Sequence, residues 1–355
     1  MTAPTRLEAP QRPTDKVTIG REVGKYSLKR KLGQATSGVF LADSPEGPVA
    51  IKLLPAEIMA NSPTLGKRFL REARTLFNKV QPNLVKTLDA GEELGTFFLV
   101  MEYFEGEDLE QVLESRGRLP EAEVVSIALQ VARGLSYLRD EGLLHRNVKP
   151  EHILLGADGT TVKLAGLGLV RAEDGDEGMP AVTVKGALVG TPAYMSPEQA
   201  RADDLDIRSD LYTLGITIYH LLTGELPFQA KVVAQILRQL TRDPCPDVRA
   251  KAPDVSPGLA AVIARLTEKK QEDRYANPND LITDLEAIRT GDLVEGLPPI
   301  AGMAAGTAAG SSKVRATQVG AAGADARLKR MRLAVIGLVV VVLGLVIAIV
   351  LLTKS

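Results

Sequence analysis

The chain has 355 residues, 45% of them hydrophobic, and a net charge of −1. That length holds a two-lobed domain plus tails, and so even a charge balance leaves no basic stripe for nucleic acid. Cys245 is the single cysteine, which excludes an internal disulfide and fits a reducing compartment.

Residues 1–25 are rich in Pro, Thr and charge and read as a flexible tail; they contain no apolar stretch of the kind a signal peptide needs. A globular pattern follows over 26–290. KYSLKRKL, GVFLA and PVAIKLL alternate as strands do. Lys67–Val80 reads as a helix, with Phe69, Ala73 and Phe77 at helical spacing. FFLVMEY reads as a buried strand. Val124, Ile127, Ala128, Val131, Leu135 and Leu138 recur at helical steps, which predicts a helix facing a core. Beyond it the chain is largely helical. Strands first and helices later predict an α+β class with two lobes.

The segment 291–332 is loaded with Gly, Ala, Ser and Thr and ends in Arg327, Lys329, Arg330 and Arg332. It reads as a juxtamembrane linker, whose Gly/Ala-rich part, 291–326, reaches roughly 30–36 Å as a coil. Leu333–Leu352 is uncharged. A helix of about twenty residues rises ~30 Å, the thickness of a bilayer core, so 333–352 is predicted to be a transmembrane helix. Basic residues precede the span and Lys354 alone follows it. This pattern puts the globular part in the cytoplasm and 353–355 outside, as a single-pass cell-membrane protein. Gly337, Gly344 and Ala348 share one face of that helix and offer a surface for self-association.

Several short motifs fall along the globular part. They are LGQATSGVF (Leu32–Phe40), VAIK (Val49–Lys52), RFLREA with Glu72, FFLVMEYFEG, HRNVKPEHILL (His145–Leu155) and VKLAGLGLV (Val162–Val170). GTPAYMSPE (Gly190–Glu198), SDLYTLG with Asp210 and EDRYANP with Arg274 follow. In this order they resemble bacterial Ser/Thr protein kinases of the eukaryotic-like type, over about Tyr26–Thr290. The resemblance implies a two-lobed protein-kinase fold with a β-rich N-lobe and a helical C-lobe.

It also implies roles. Gly33 and Gly38 would bring backbone N–H groups to nucleotide phosphates, with Ala35 in place of a middle glycine. Lys52 would hold the α- and β-phosphates, steadied by Glu72. Met101 takes the gatekeeper position, and Glu102 and Tyr103 would line the adenine site through backbone atoms. Val39, Ala50 and Leu154 would sandwich the ring, although the same residues would serve plain core packing.

Three positions depart from the pattern. Asn147 stands where the catalytic Asp belongs, His152 where a magnesium-binding Asn belongs, and Gly166 where the Asp of D-F-G belongs. An amide has no basic site at physiological pH, and imidazole suits softer metals than Mg²⁺. No metal site is therefore expected.

Lys149 and Thr191 are retained, as are Asp210, which would brace the loop, and a Glu198–Arg274 pair. Arg146 would either brace the loop or clamp a phosphate on Thr183 or Thr191. The reading is a degenerate, pseudokinase-like member acting as scaffold, allosteric partner or nucleotide-binding regulator. Its partner would be another protein kinase or a signalling protein, and its cofactor ATP without Mg²⁺. The alternative is an active atypical Ser/Thr kinase transferring the ATP γ-phosphate to protein. That requires replacement groups, for which Glu151, Asp158, Glu173 and Asp174 are the nearby carboxylates.

Overall fold

The computed structural model describes residues 19–33, 38–54, 70, 73–77, 79–166, 171–172 and 192–291. Among them, one antiparallel sheet forms from β1 (Glu22–Val23), β2 (Tyr26–Leu32), β3 (Val39–Ser44), β4 (Gly47–Leu54), β5 (Thr87–Glu93) and β6 (Thr96–Glu102). Its order is β1-β2-β3-β4-β6-β5. A bulge between Leu28 and Arg30 shifts the register of β2 against β3 and adds local twist. The β5–β6 hairpin turns through Leu94 (φ +48°) and Gly95 (φ +74°), the left-handed pair that a tight hairpin demands.

Strand β4 shows how the sheet positions the site. Val49, Ile51 and Leu53 pack with Tyr26, Leu28, Phe40, Phe98 and Val100. The period of two then turns Ala50 and Lys52 to the other face. There Ala50 joins Leu99 and Met101 in a second apolar cluster.

The second lobe is helical: α1 (Leu109–Arg116), α2 (Glu121–Asp140), α3 (Pro197–Arg201), α4 (Ile207–Thr223), α5 (Val233–Arg242), α6 (Pro257–Leu266) and α7 (Pro278–Thr290). Helix α2 buries Val124, Ile127, Ala128, Val131, Leu135 and Leu138, the residues its spacing predicted, and lies against α4 and α7. Helix α4 is buried on nearly every side, as befits a helix through the middle of a core. At Gly215 the neighbouring α6 comes so near that a Cβ would lie 2.7 Å from Leu266.

Short strands finish the mouth between the lobes. β7 (Gly106–Asp108), β9 (Ile153–Gly156) and β10 (Val162–Leu164) form a sheet in the order β10-β9-β7, and β8 (Leu143–Leu144) pairs with β11 (Arg171–Ala172). The loop 145–152 therefore runs from β8 to β9. The β9–β10 register sets Leu164 opposite Ile153 and brings Ala165 and Gly166 beside the loop's end.

No helix among the described residues is long and apolar enough to cross a membrane. The predicted span 333–352, its tail 353–355 and the linker beyond Gly291 lie outside the described residues. So does most of the N-terminal tail. The helix read over Lys67–Val80 is helical at 70 and 73–76 and stops short of its expected end: Phe77 bridges to Thr87 instead, and Val80 is exposed outside any helix.

Candidate functional site

The loop after β8 is held from behind by α4. Asp210, buried in the first turn of that helix, accepts the backbone N–H of His145 at 2.7 Å and of Arg146 at 2.6 Å. Burial pushes its carboxyl up to about 7, against the pull of the two donors. Arg146 sits at φ +63°, a conformation that persists in a non-glycine residue when its surroundings over-determine it. Gln199 of α3 donates to the Arg146 carbonyl at 2.8 Å. Behind this, Arg274 and Glu198 form the expected pair, with Nη1–Oε1 at 2.7 Å and Nη2–Oε2 at 2.9 Å.

Two histidines clamp the backbone that leaves β10. His145 donates from Nε2 to the Ala165 carbonyl at 2.7 Å, and its Nδ1 accepts the Asn147 N–H at 3.3 Å. These partners assign the tautomer. Burial lowers the His145 ring to about 4, so it is neutral. His152 donates from Nδ1 to the Asn147 carbonyl at 2.7 Å, and its own carbonyl accepts the Ala165 N–H at 2.7 Å. Burial first, then neighbouring His145, push its pKa well below the ordinary histidine value. The His152 ring covers Gly166. A Cβ on residue 166 would stand 2.8 Å from His152 Cγ and 3.0 Å from Cδ2 and Nδ1. Gly166 itself lies at φ +88°.

Two ammonium groups face this region. Lys52, on the inner face of β4, has its pKa lowered by burial and then by Lys149. Lys149 is buried, its side chain 8% exposed, and paired with Glu151. Of the carboxylates near the loop, Glu151 is thus turned onto Lys149. Asp158 is instead held by Thr160 and Thr161 in the turn before β10, 2.8 Å from each N–H.

Val39, Ala50, Met101 and Leu154 come together in one apolar cluster. Leu32 and Ala165 join it, two residues that sequence reasoning passed over; their signal was adjacency to Gly33 and Gly166. Glu102 closes β6 with its side chain on Lys163 at 2.6 Å and on the Lys86 N–H at 2.9 Å. Tyr103 accepts a hydrogen bond from Arg30 Nη2 at 3.2 Å. Gly33 and Gly38 have φ of +66° and +64°, and a Cβ on Gly38 would meet the Leu53 carbonyl at 3.0 Å. Glu72, Leu167, Thr183 and Thr191 lie outside the described residues.

Chemically, residues 152 and 166 supply no oxygen ligand for a metal ion from their side chains. Mg²⁺ demands near-octahedral oxygen ligands. Residue 166 has no side chain, and Nδ1 of His152 is committed to the Asn147 carbonyl. Among the described residues no group of three or more His, Cys, Asp or Glu is placed to hold a metal ion. The donors at 152 and 166 do not fit Mg²⁺. The apolar cluster that holds Ala50 lies on the same face of β4 as Lys52.

Residues 26–284 match the protein kinase domain family. The serine/threonine-protein kinase pkn3 of Myxococcus xanthus is 36% identical over 281 residues, which are 76% of this chain and 51% of that protein. PknL of Mycobacterium bovis is 38% identical over 267 residues, 74% of this chain and 65% of that protein. This chain thus spans between half and two thirds of the length of these relatives. In structure it is similar to the PknI kinase domain of Mycobacterium tuberculosis, a point mutant solved by crystallography. The TM-score is 0.62 at 27% identity, covering 78% of this chain and 99% of that one.

Proposed function

Because the chain belongs to the protein kinase domain family, among the bacterial eukaryotic-like serine/threonine protein kinases, we propose that it is a pseudokinase. It binds nucleotide as a conformational ligand and acts by docking, as scaffold or allosteric partner of another kinase or signalling protein. The observation that carries this reading is the His152 ring lying over Gly166, where phosphoryl transfer needs a carboxylate for the metal. Asn147 adds to it, since an amide accepts no proton from a substrate hydroxyl. Lys52 and Lys149 would hold the phosphates of ATP, and Val39, Ala50, Met101 and Leu154 its ring. ATP supplies binding energy and a shape for partners to read.

The chain is anchored by Leu333–Leu352, with the kinase-fold domain on the cytoplasmic side and residues 353–355 outside. Close packing through Gly337, Gly344 and Ala348 brings copies together.

The test uses the full chain in detergent. Thermal unfolding is followed with ATP, with ATP plus Mg²⁺, and with neither, beside an assay for label transfer from γ-labelled ATP to a protein acceptor. The reading expects stabilisation by ATP that Mg²⁺ does not enhance, and no transfer. Magnesium-dependent transfer would overturn it and establish an active atypical Ser/Thr kinase. No stabilisation in either condition would remove the nucleotide and leave a docking scaffold.

A further inference from the structure

The His152 side chain and the missing side chain at 166 occupy one volume. The imidazole is fixed by the hydrogen bond from Nδ1 to the Asn147 carbonyl at 2.7 Å. The backbone beneath it is fixed by the Ala165 N–H on the His152 carbonyl at 2.7 Å and by His145 Nε2 on the Ala165 carbonyl at 2.7 Å. Both surfaces are thus held in place by hydrogen bonds. A Cβ at 166 would meet the ring at 2.8 Å, closer than real Cβ contacts come, and the atoms it meets belong to a rigid aromatic ring rather than to a flexible chain end.

We infer that His152 determines the ligand selectivity of the cleft. Its ring fills the place of a metal-holding side chain, so that the site takes a free nucleoside polyphosphate anion and disfavours its magnesium complex. The inference rests on the nucleotide reading above. It adds that His152 and Gly166 act as one unit, so metal competence returns only when both change. Lys52 then neutralises phosphate charge that a metal ion neutralises elsewhere, with Lys149 beside it already paired to Glu151. A divalent cation brought by the nucleotide adds positive charge beside these ammonium groups and meets no carboxylate at 166.

The experiment is a double-mutant cycle on the full chain in detergent. The first arm measures Tm without nucleotide for the unaltered protein, Gly166→Ala, His152→Ala and the pair. Alanine at φ +88° is strained in either background, so that cost cancels in the cycle and the clash with the ring remains. The expected result is a Tm loss from Gly166→Ala about 3–8 °C larger with His152 present than with it removed. Equal losses in the two backgrounds would overturn the shared-volume argument.

The second arm measures affinity for ATP in EDTA and in excess Mg²⁺ for the unaltered protein, Gly166→Asp, and Gly166→Asp with His152→Asn. The unaltered protein is expected to bind several-fold more weakly in Mg²⁺, Gly166→Asp alone to gain no magnesium dependence, and the pair to bind at least several-fold more tightly with Mg²⁺. Tighter binding of the unaltered protein in Mg²⁺, or a gain from Gly166→Asp alone, would overturn the selectivity. Absence of ATP binding in every condition would overturn the nucleotide reading and the selectivity with it, while the first arm still decides whether the ring excludes a side chain at 166.

Discussion

Replacing Arg274 by Ala tests the buried bracket that holds α3 against the core. The guanidinium reaches Glu198 through both terminal nitrogens, at 2.7 and 2.9 Å, and the side chains are 0% and 2% exposed. Its remaining donors go to the carbonyls of Glu268 at 2.8 Å, Arg208 at 3.0 Å and Lys269 at 3.2 Å. Its face lies 4.8 Å from the Tyr212 ring. Glu198 also accepts from Ser209 at 2.7 Å.

Burial alone would raise the Glu198 pKa, but the hydrogen bonds and charge of Arg274, with Ser209, bring it down from 4.5 to about 2. That drop corresponds to about 3 kcal/mol of preference for the charged form. Arg274→Ala strands this carboxylate in the core, and the expected loss is about 3–5 kcal/mol, roughly 8–15 °C in Tm. Urea unfolding near pH 7 measures it. Because the folded-state pKa is depressed, the contribution is fully present above about 4.5 and disappears as pH falls toward 2. The arginine variant should therefore approach the unaltered protein in stability as the medium is acidified through that window. A loss under ~1 kcal/mol at neutral pH, or a difference that does not shrink in acid, would refute the reasoning.

Three other outcomes are expected. Lys52→Met removes an ammonium whose charge burial already disfavours, so Tm without nucleotide should hold or rise while the ATP-induced shift disappears; a persisting shift would show that ATP sits elsewhere. Asp210→Asn sets an amide N–H against one of the two loop donors, at a cost of about 1–3 kcal/mol, and an unchanged urea midpoint would remove Asp210 as the brace. If the proposed span 333–352 packs against a second copy, Gly344→Ile should lower self-association in a membrane two-hybrid assay, and an unchanged signal would dispose of that contact face.

Much of this architecture was legible because its signals are local. The alternation in KYSLKRKL and PVAIKLL marks β2 and β4, and the three- and four-residue steps from Val124 to Leu138 mark α2. Strand β5 was not legible. Thr87–Glu93 carries Asp89, Gly91 and two terminal glutamates, and becomes a strand because β6 offers it a ladder. Val39, Ala50, Met101 and Leu154 pack in one apolar cluster, which Leu32 and Ala165 complete without any motif to announce them.

The sequence by itself determined which groups stand at the positions where chemistry is done: an amide at 147, an imidazole at 152, no side chain at 166, and ammonium groups at 52 and 149. The tertiary structure alone decided what those groups do to one another. Asp210 is 65 residues from His145 in sequence and holds it at 2.7 Å. Glu151 turns to Lys149, and the His152 ring closes over Gly166. Composition and spacing fix a side chain's chemistry, but its direction is chosen by burial and by hydrogen-bond partners that folding alone brings within reach.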